Sequence, residues 1–192
     1  MNILLLGPQG SGKGTQAKRI AENYGLAQIA TGEMLRRAIA AETPLGLEVK
    51  PIVDSGALVP DELMIDLIRE RLDYEDTREG FIFDGFPRTM AQARALDRML
   101  AEIGRDLDIV FELQVSDAVC IERLHKRARE EGRNDDTPEA IARRLADYHE
   151  KTEPLVGYYR ARGNLVGIHA DHPIDEVFAE IEEALRTVAA RL

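Results

Sequence analysis

The stretch Gly7-Pro8-Gln9-Gly10-Ser11-Gly12-Lys13-Gly14-Thr15 constrains this chain more than any other. It follows an apolar run, Ile3-Leu4-Leu5-Leu6, that reads as a buried strand. It leads into a helical pattern, Gln16 to Tyr24. Strand, glycine loop and helix in that order are the setting of a phosphate-binding loop. Glycines let the backbone bend so that successive N–H groups face an anion. The helix N-terminus adds partial positive charge there, and Lys13 adds a full charge. A glycine-rich strand-to-helix turn with no ligand is the bland alternative, and it leaves the register of Lys13 unexplained. The hydroxyl comes one place later than in GxxxxGK[ST], because Gly14 follows the lysine and Thr15 follows Gly14.

With 192 residues the chain can bury one good core with small inserted lobes. Its 44% apolar and 31% charged composition is that of an ordinary soluble globular protein. No apolar run approaches the ~20 residues that span a bilayer, and no basic-then-apolar signal peptide precedes the first strand. The expected compartment is the reducing cytoplasm. The single cysteine, Cys120, can form neither an internal disulfide nor a thiolate metal site, and its apolar helical context reads as a buried structural thiol. The net charge of −10 argues against a general nucleic-acid surface or an anionic membrane as partner. An acidic protein that binds phosphates must gather its arginines in one place.

Along the chain, Ala27–Ala30 reads as a second strand running into a helix over 31–38, with Thr31 as its N-cap. Thr43-Pro44 breaks that helix, and another runs from Leu45 to Ser55 before Gly56. A longer helix starts at Val59-Pro60-Asp61-Glu62 and reaches about Leu72. The two short helices of residues 31–59 cannot bury a core of their own and read as a small inserted lobe. A third strand, Gly80 to Asp84, ends in an acid. A helix follows from about Thr89 to Ile103, then a strand at Ile109–Leu113 and a basic helix over 117–131. Residues 130–138 read as a short flap. Thr137 caps and Pro138 opens a long helix to about Arg162, kinked at Glu153-Pro154. A strand at Leu165–His169 and a helix from Ile174 to about Leu192 close the chain. Strands alternating with helices imply an α/β fold with a parallel sheet covered on both faces. There is no internal repeat and no low-complexity segment.

Two features carry chemistry besides the loop. An apolar strand ending in Asp84 is the Walker B pattern, in which the carboxylate orients Mg²⁺ or its waters. The alternative is a turn aspartate before Gly85. Arg36, Arg88, Arg123, Arg127, Arg133 and Arg144 bracket loops, and planar forked donors suit phosphate oxygens. Taken singly, each reads as a solvated surface charge.

Thr-Gly-Glu-Met-Leu-Arg at 31–36, Asp-Gly-Phe-Pro-Arg-Thr at 84–89, Gly-Arg-Asn-Asp-Asp at 132–136 and Arg-Arg-Leu at 143–145, with the phosphate loop, resemble the adenylate kinase family. The likeness covers essentially the whole chain, in order. The Asp-Gly-Phe-Pro-Arg block is specific to the nucleoside monophosphate kinase group, whereas a phosphate loop alone is not.

The resemblance implies a P-loop NTPase-type fold with a five-stranded parallel core (1–29, 60–125, 137–192), an inserted AMP-binding lobe (30–59) and a short lid (126–136). It implies the reaction Mg·ATP + AMP ⇌ 2 ADP by a monomer. Gly10, Ser11, Gly12, Lys13, Gly14 and Thr15 would hold the ATP phosphates, Arg123, Arg127, Arg133 and Arg144 would close over them, and the adenine would lie against the helix near Arg123 and the loop around His172. Thr31, Arg36, the backbone of Ala57, Leu58 and Val59, and Gly85, Phe86, Pro87, Arg88 and Gln92 would hold AMP, together with Arg133 and Arg144. Lys13, Arg88, Arg123, Arg133 and Arg144 would stabilise the transferring phosphoryl group, and Asp84 would reach Mg²⁺ through water.

The flap is the short form and lacks the cysteines of zinc-binding long lids, so no structural zinc is expected. Glu33 stands where aspartate is common in the family and Ala30 where serine is common. Two rival readings fit parts of the sequence: a UMP or CMP kinase of the same group, and a non-kinase nucleotide-binding switch. Gln92 discriminates against the first, since its amide pairs an acceptor with a donor as an adenine edge does, and Thr31 fits the same reading. A switch would leave Arg36, Arg88 and Gln92 without a role.

Overall fold

The computed structural model describes residues 1–133 and 136–190. Its strands are β1 (Asn2–Leu6), β2 (Ala27–Ala30), β3 (Phe81–Asp84), β4 (Ile109–Gln114) and β5 (Leu165–His169). They form one five-stranded sheet in the order β2-β3-β1-β4-β5, and every pairing is parallel. Parallel neighbours need long crossovers, which the helices between the strands supply. The register sets Leu4 beside Phe83 on one flank and Val110 on the other.

β1 is buried throughout, so its apolar residues do not alternate with polar ones. Their alternation divides the core instead. Leu4 and Leu6 pack with Phe81, Phe83, Leu96 and Tyr159 on one face of the sheet. Ile3 and Leu5 pack with Ile82, Phe111, Ile20 and Ile181 on the other. The first face is covered by α4 (Asp61–Leu72), α5 (Met90–Glu102) and α8 (Pro154–Arg162). The second is covered by α1 (Lys13–Tyr24) and α9 (Ile174–Ala189). Phe81, Phe83 and Phe86 stack in series, with ring centroids 4.9 and 6.0 Å apart. Truncating Phe83 to alanine in so tight a series would cost about 3–5 kcal/mol.

Between β2 and α4 lie α2 (Thr31–Ala40) and α3 (Pro44–Asp54). α6 (Asp117–Glu131) and α7 (Pro138–Asp147) join through Cys120, Leu124, Ile141 and Leu145. Burial pushes the Cys120 thiol up to about 11, which leaves it an inert apolar filler. Asn134 and Asp135, in the middle of the expected flap, lie outside the described residues, as do residues 191 and 192 at the end of the expected closing helix.

Three local expectations need correction. α1 begins at Lys13, three residues before the helical pattern expected from Gln16, which puts Lys13 in its first turn. Thr31 is the first residue of α2 and not its cap; Ala30 holds the cap position without a side-chain bond. The Thr31 hydroxyl donates instead to the Asp84 carbonyl at 3.4 Å. The single kinked helix expected from Pro138 to Arg162 is two helices joined by a π-helical turn over Tyr148–Thr152. Pro154 has no N–H to continue the ladder, and the Glu153 N–H reaches back five residues to the Tyr148 carbonyl at 2.8 Å.

The chain leaves β1 toward β2 on one side and later crosses to β4 on the other. Ligands of such sheets sit at the C-terminal strand ends where that reversal occurs.

Candidate active site

At the C-terminal end of β1 the loop turns into α1 through Gly10 and Gly12, at φ 84° and 94°. A Cβ on Gly10 would lie 2.7 Å from the Cys120 carbonyl oxygen, so only glycine fits this loop against α6. Gly12 is the α1 cap. It offers no side-chain bond, and the first turn holds no acid. The N–H groups there keep their capacity for an incoming anion.

Lys13 folds back over the loop and donates to the carbonyls of Gly7 (2.6 Å) and Pro8 (2.8 Å) and to Ser11 Oγ (3.4 Å). Burial lowers its ammonium to about 8; the Asp84 carboxylate opposes that shift and Arg88 adds to it. Asp84 ends β3 beside Leu5 of β1. Its Oδ2 lies 3.3 Å from where a Cβ on Gly14 would stand, so the carboxylate faces the first turn of α1. Its oxygens are acceptors that could hold the waters of a divalent ion brought in with phosphates, whose charge the α1 terminus and Lys13 would share. Among the described residues, no group of three or more His, Cys, Asp or Glu is arranged to hold a metal by itself.

After β3 the chain crosses the floor of the cleft. A Cβ on Gly85 (φ 88°) would meet Thr31 Oγ1 at 2.7 Å and Arg88 Nη2 at 3.2 Å. The Phe86–Pro87 peptide is cis. The Phe86 side chain is buried against Phe83 and supports the floor rather than lining the cleft. Arg88 donates from Nε to the Gly85 carbonyl at 2.8 Å. The Gln9 amide, oriented by its partners, accepts from Arg88 Nη1 and Nη2 at 2.9 and 3.0 Å. Burial lowers the pKa of this guanidinium; Asp84 opposes, and Arg144 and Arg36 push the same way as burial. The cationic groups are therefore crowded and desolvated, a state that an anion would relieve.

Gln92, in the first turn of α5, is only 2% exposed. Its Oε1 accepts from the Arg88 N–H at 2.7 Å, and its Nε2 donates to Asp61 Oδ1 at 2.8 Å. The Arg36 guanidinium folds toward Gly32, whose Cβ would sit 3.2 Å from Nη1.

The opposite wall is built by α6 and α7. Arg123 Nη1 donates to the carbonyls of Ala170 (2.9 Å) and Ser11 (3.5 Å). Arg127 grips Asp136 through both oxygens, at 2.7 and 2.8 Å, and Arg144 shares Oδ1 at 2.7 Å. The Asp136 side chain is fully buried. Burial pushes its carboxyl up, but Arg127 and Arg144 outweigh that and hold it below the usual range. Arg133 pairs with Glu131 at 2.6 Å, and the exposed His172 stands near Asp171 and Glu176.

One cleft of about 780 Å³ is lined by Gly10 to Thr15, Thr31, Arg36, Ala57 to Val59, Asp84, Gly85, Arg88, Gln92, Arg123, Arg127, Arg133, Arg144 and His172. Pro87 lines a small adjoining recess with Gln9 and Lys13. Of the residues singled out from sequence, Phe86 alone has its side chain off these walls. The sequence reading assigned no role to three residues that organise the site: Gln9, Asp61 and Asp136. Gln9 and Asp136 lay inside quoted motifs. Asp61 showed only as an acid at a helix start.

A family model described as adenylate kinase matches residues 5–164. Curated relatives named adenylate kinase include one from Nitrobacter hamburgensis, 47% identical over 191 residues, which covers 96% of this chain and 92% of the relative. One from Methylobacterium nodulans is 49% identical over 192 residues, 97% of this chain and 96% of the relative. One from Caulobacter vibrioides is 48% identical over 190 residues, 99% of this chain and all of the relative. On near full-length identity of this order, and with its loop, acid and arginines lining one cleft, the chain belongs to the adenylate kinase family.

Proposed function

We propose that the two ends of this cleft hold the two nucleotides of the reaction Mg·ATP + AMP ⇌ 2 ADP. The chain is a phosphotransferase acting between ATP and AMP. The observation that carries the residue-level reading is the double character of the cleft. A bare helix N-terminus with Lys13, and a second set of Arg36, Arg88 and Gln92 contributed by other elements, line the same cleft.

Gly10 to Thr15 hold the ATP phosphates through backbone N–H groups, and Lys13 reaches the outer ones. The helix near Arg123 and the backbone near His172 flank the ATP base, and Arg127 closes over the phosphates. Thr31, Arg36, the backbone of Ala57 to Val59, Gly85 to Arg88 and Gln92 take AMP. The attacking phosphate oxygen is already anionic, so no general base is needed. The residues act by aligning donor and acceptor and by neutralising charge on the transferring oxygens. Arg88, Arg123, Arg133 and Arg144 supply that charge together with Lys13. Mg²⁺ arriving with ATP would supply charge neutralisation at the phosphates, and Asp84 would hold its waters.

Residues 30–59 form the AMP-binding lobe and 126–136 the lid on a core of 1–29, 60–125 and 137–192, the lid excluding water so that ATP is not hydrolysed without an acceptor. No structural zinc is invoked. The protein acts in the cytoplasm as a monomer on ATP, AMP and ADP, without nucleic acid or membrane. The net charge of −10 argues against a polyanionic partner; among the described residues no helix is long and apolar enough to cross a membrane.

The test is an acceptor panel: protein, Mg²⁺ and ATP mixed separately with AMP, UMP, CMP and GMP, with products separated by chromatography. ADP formed rapidly with AMP alone is the expected result. Preference for UMP or CMP would reassign the base pocket, and phosphate release independent of acceptor would refute the reading.

A further inference from the structure

We propose that Asp61 is a positioning residue for base selection, one that with the Arg88 N–H locks the Gln92 amide in the orientation that reads a 6-aminopurine. The inference rests on the reading of Gln92 as the contact to the acceptor base. A glutamine amide has two acceptor sites on oxygen and two N–H donors. Turned over, the same amide presents the opposite pattern, so its selectivity is only as good as the fixing of its orientation.

Two groups fix it here. The Arg88 backbone N–H donates to Oε1 at 2.7 Å, and a backbone donor cannot become an acceptor. Asp61 Oδ1 accepts from Nε2 at 2.8 Å. Reversing the amide would set N–H against N–H at one contact and oxygen against carboxylate oxygen at the other. The Asp61 oxygen is itself held, since the Thr89 hydroxyl donates to it at 2.9 Å while accepting from the Gln92 N–H at 3.2 Å. Asp61 opens α4, where the helix N-terminus favours a negative group. The ring Asp61–Thr89–Gln92 thus ties the starts of α4 and α5.

One N–H and one lone pair of the buried amide remain for a ligand. Adenine offers N1 as acceptor beside the 6-amino donor. A 6-oxopurine carries a donor at N1 and an acceptor at position 6, the pattern a reversed amide would match. Asp61 therefore contributes to discrimination between AMP and inosine monophosphate without touching either.

The experiment measures kcat and KM with AMP and with inosine monophosphate for wild type, Asp61→Ala, Asp61→Asn and Gln92→Ala, alongside thermal unfolding. Asp61→Ala should lower the AMP-to-inosine-monophosphate ratio of kcat/KM by about tenfold, mainly through the KM for AMP, as expected for one lost bond to a charged group. Asp61→Asn should restore most of that ratio, because its amide oxygen still accepts from Thr89 and Gln92. If Asp61→Ala fails to fold, Asp61→Ser carries the same expectation, since a hydroxyl can both donate and accept and fixes no orientation. A lower unfolding temperature with the ratio unchanged would make Asp61 a structural tie only and overturn the proposal. Gln92→Ala with an unchanged ratio would instead defeat the reading of Gln92, and the proposal with it. A ratio that collapses in Gln92→Ala but not in the Asp61 variants defeats the proposal alone.

Discussion

The N-termini of α1 and α5 border the same cleft and are finished in opposite ways. α1 starts on Gly12 with no capping side chain and no acid in its first turn. α5 starts on Thr89, whose hydroxyl accepts from the Gln92 N–H and donates to Asp61. Thr43, Ser116 and Thr137 cap α3, α6 and α7 in the same self-sufficient manner. A missing cap costs about 1 kcal/mol, a deficit that a phosphate would offset at α1 on the proposed reading. A bare helix end is a receptor for charge, and a saturated one is a rigid mount for a pattern reader. Phosphate carries charge that any N–H will recognise, whereas a base edge is told from its neighbours only by donors and acceptors held still.

Changes to the groups that meet phosphate charge, whether at the α1 terminus or among the arginines, should show the largest effects. Arg88→Ala should keep the fold and lower kcat by roughly 10²–10³-fold, about 2–4 kcal/mol in the barrier, as for loss of one preorganised donor. Turnover with far-UV circular dichroism checks this, and near-normal turnover would remove Arg88 from the site. Gly10→Ala places a Cβ 2.7 Å from the Cys120 carbonyl at a positive φ. It should lower stability by about 1–3 kcal/mol, read from the urea midpoint, and weaken ATP binding at the same time.

A pH series sharpens the contrast. Lys13 titrates at about 8 in the ligand-free protein, below an ordinary lysine, so it is charged below that pH and neutral above it. ATP affinity should fall as pH rises through about 8, by up to about tenfold per unit, with proton uptake on binding near pH 8 in calorimetry. The same depressed value makes Lys13 bind a proton more weakly in the folded than in the unfolded chain. Its contribution to folding therefore becomes more favourable as pH rises from about 8 toward 10.5, opposite in sign to its effect on binding. The smallest effect belongs to the saturated end. Thr89→Ala should lower stability by about 1 kcal/mol and relax acceptor selectivity while leaving ATP affinity unchanged. A large loss of ATP affinity in that variant would erase the distinction between the two ends.

The elements that bind charge were legible in the sequence, because they are contiguous. Loop, lysine and helix follow one another at 7–24, and the strand carrying Asp84 announces itself by its apolar run. The parallel sheet was legible from the alternation of strand and helix. The groups that hold the readers in place were not. Asp61 and Gln92 lie 31 residues apart, and Asp136 joins Arg127 to Arg144 across two helices. Such pairs leave no periodicity. Gln9 carried no sign that its amide would hold Arg88. The π-helical turn was half visible. Pro154 marked a break, but its missing N–H acts a turn earlier, so the disturbance falls on Tyr148–Thr152. Thr31 fitted the N-cap pattern, yet the Asp84 carbonyl captured its hydroxyl, a partner 53 residues away.

The reverse reaction tests the account most directly. Purified protein with Mg²⁺ and ADP as the sole nucleotide would be followed by phosphorus NMR. Two nucleotide sites sharing one transferring phosphoryl group predict that ATP and AMP appear in equal amounts and that no inorganic phosphate accumulates. Phosphate release, or ADP left unchanged while ATP is hydrolysed in a parallel sample, would contradict the paired-site reading of the cleft.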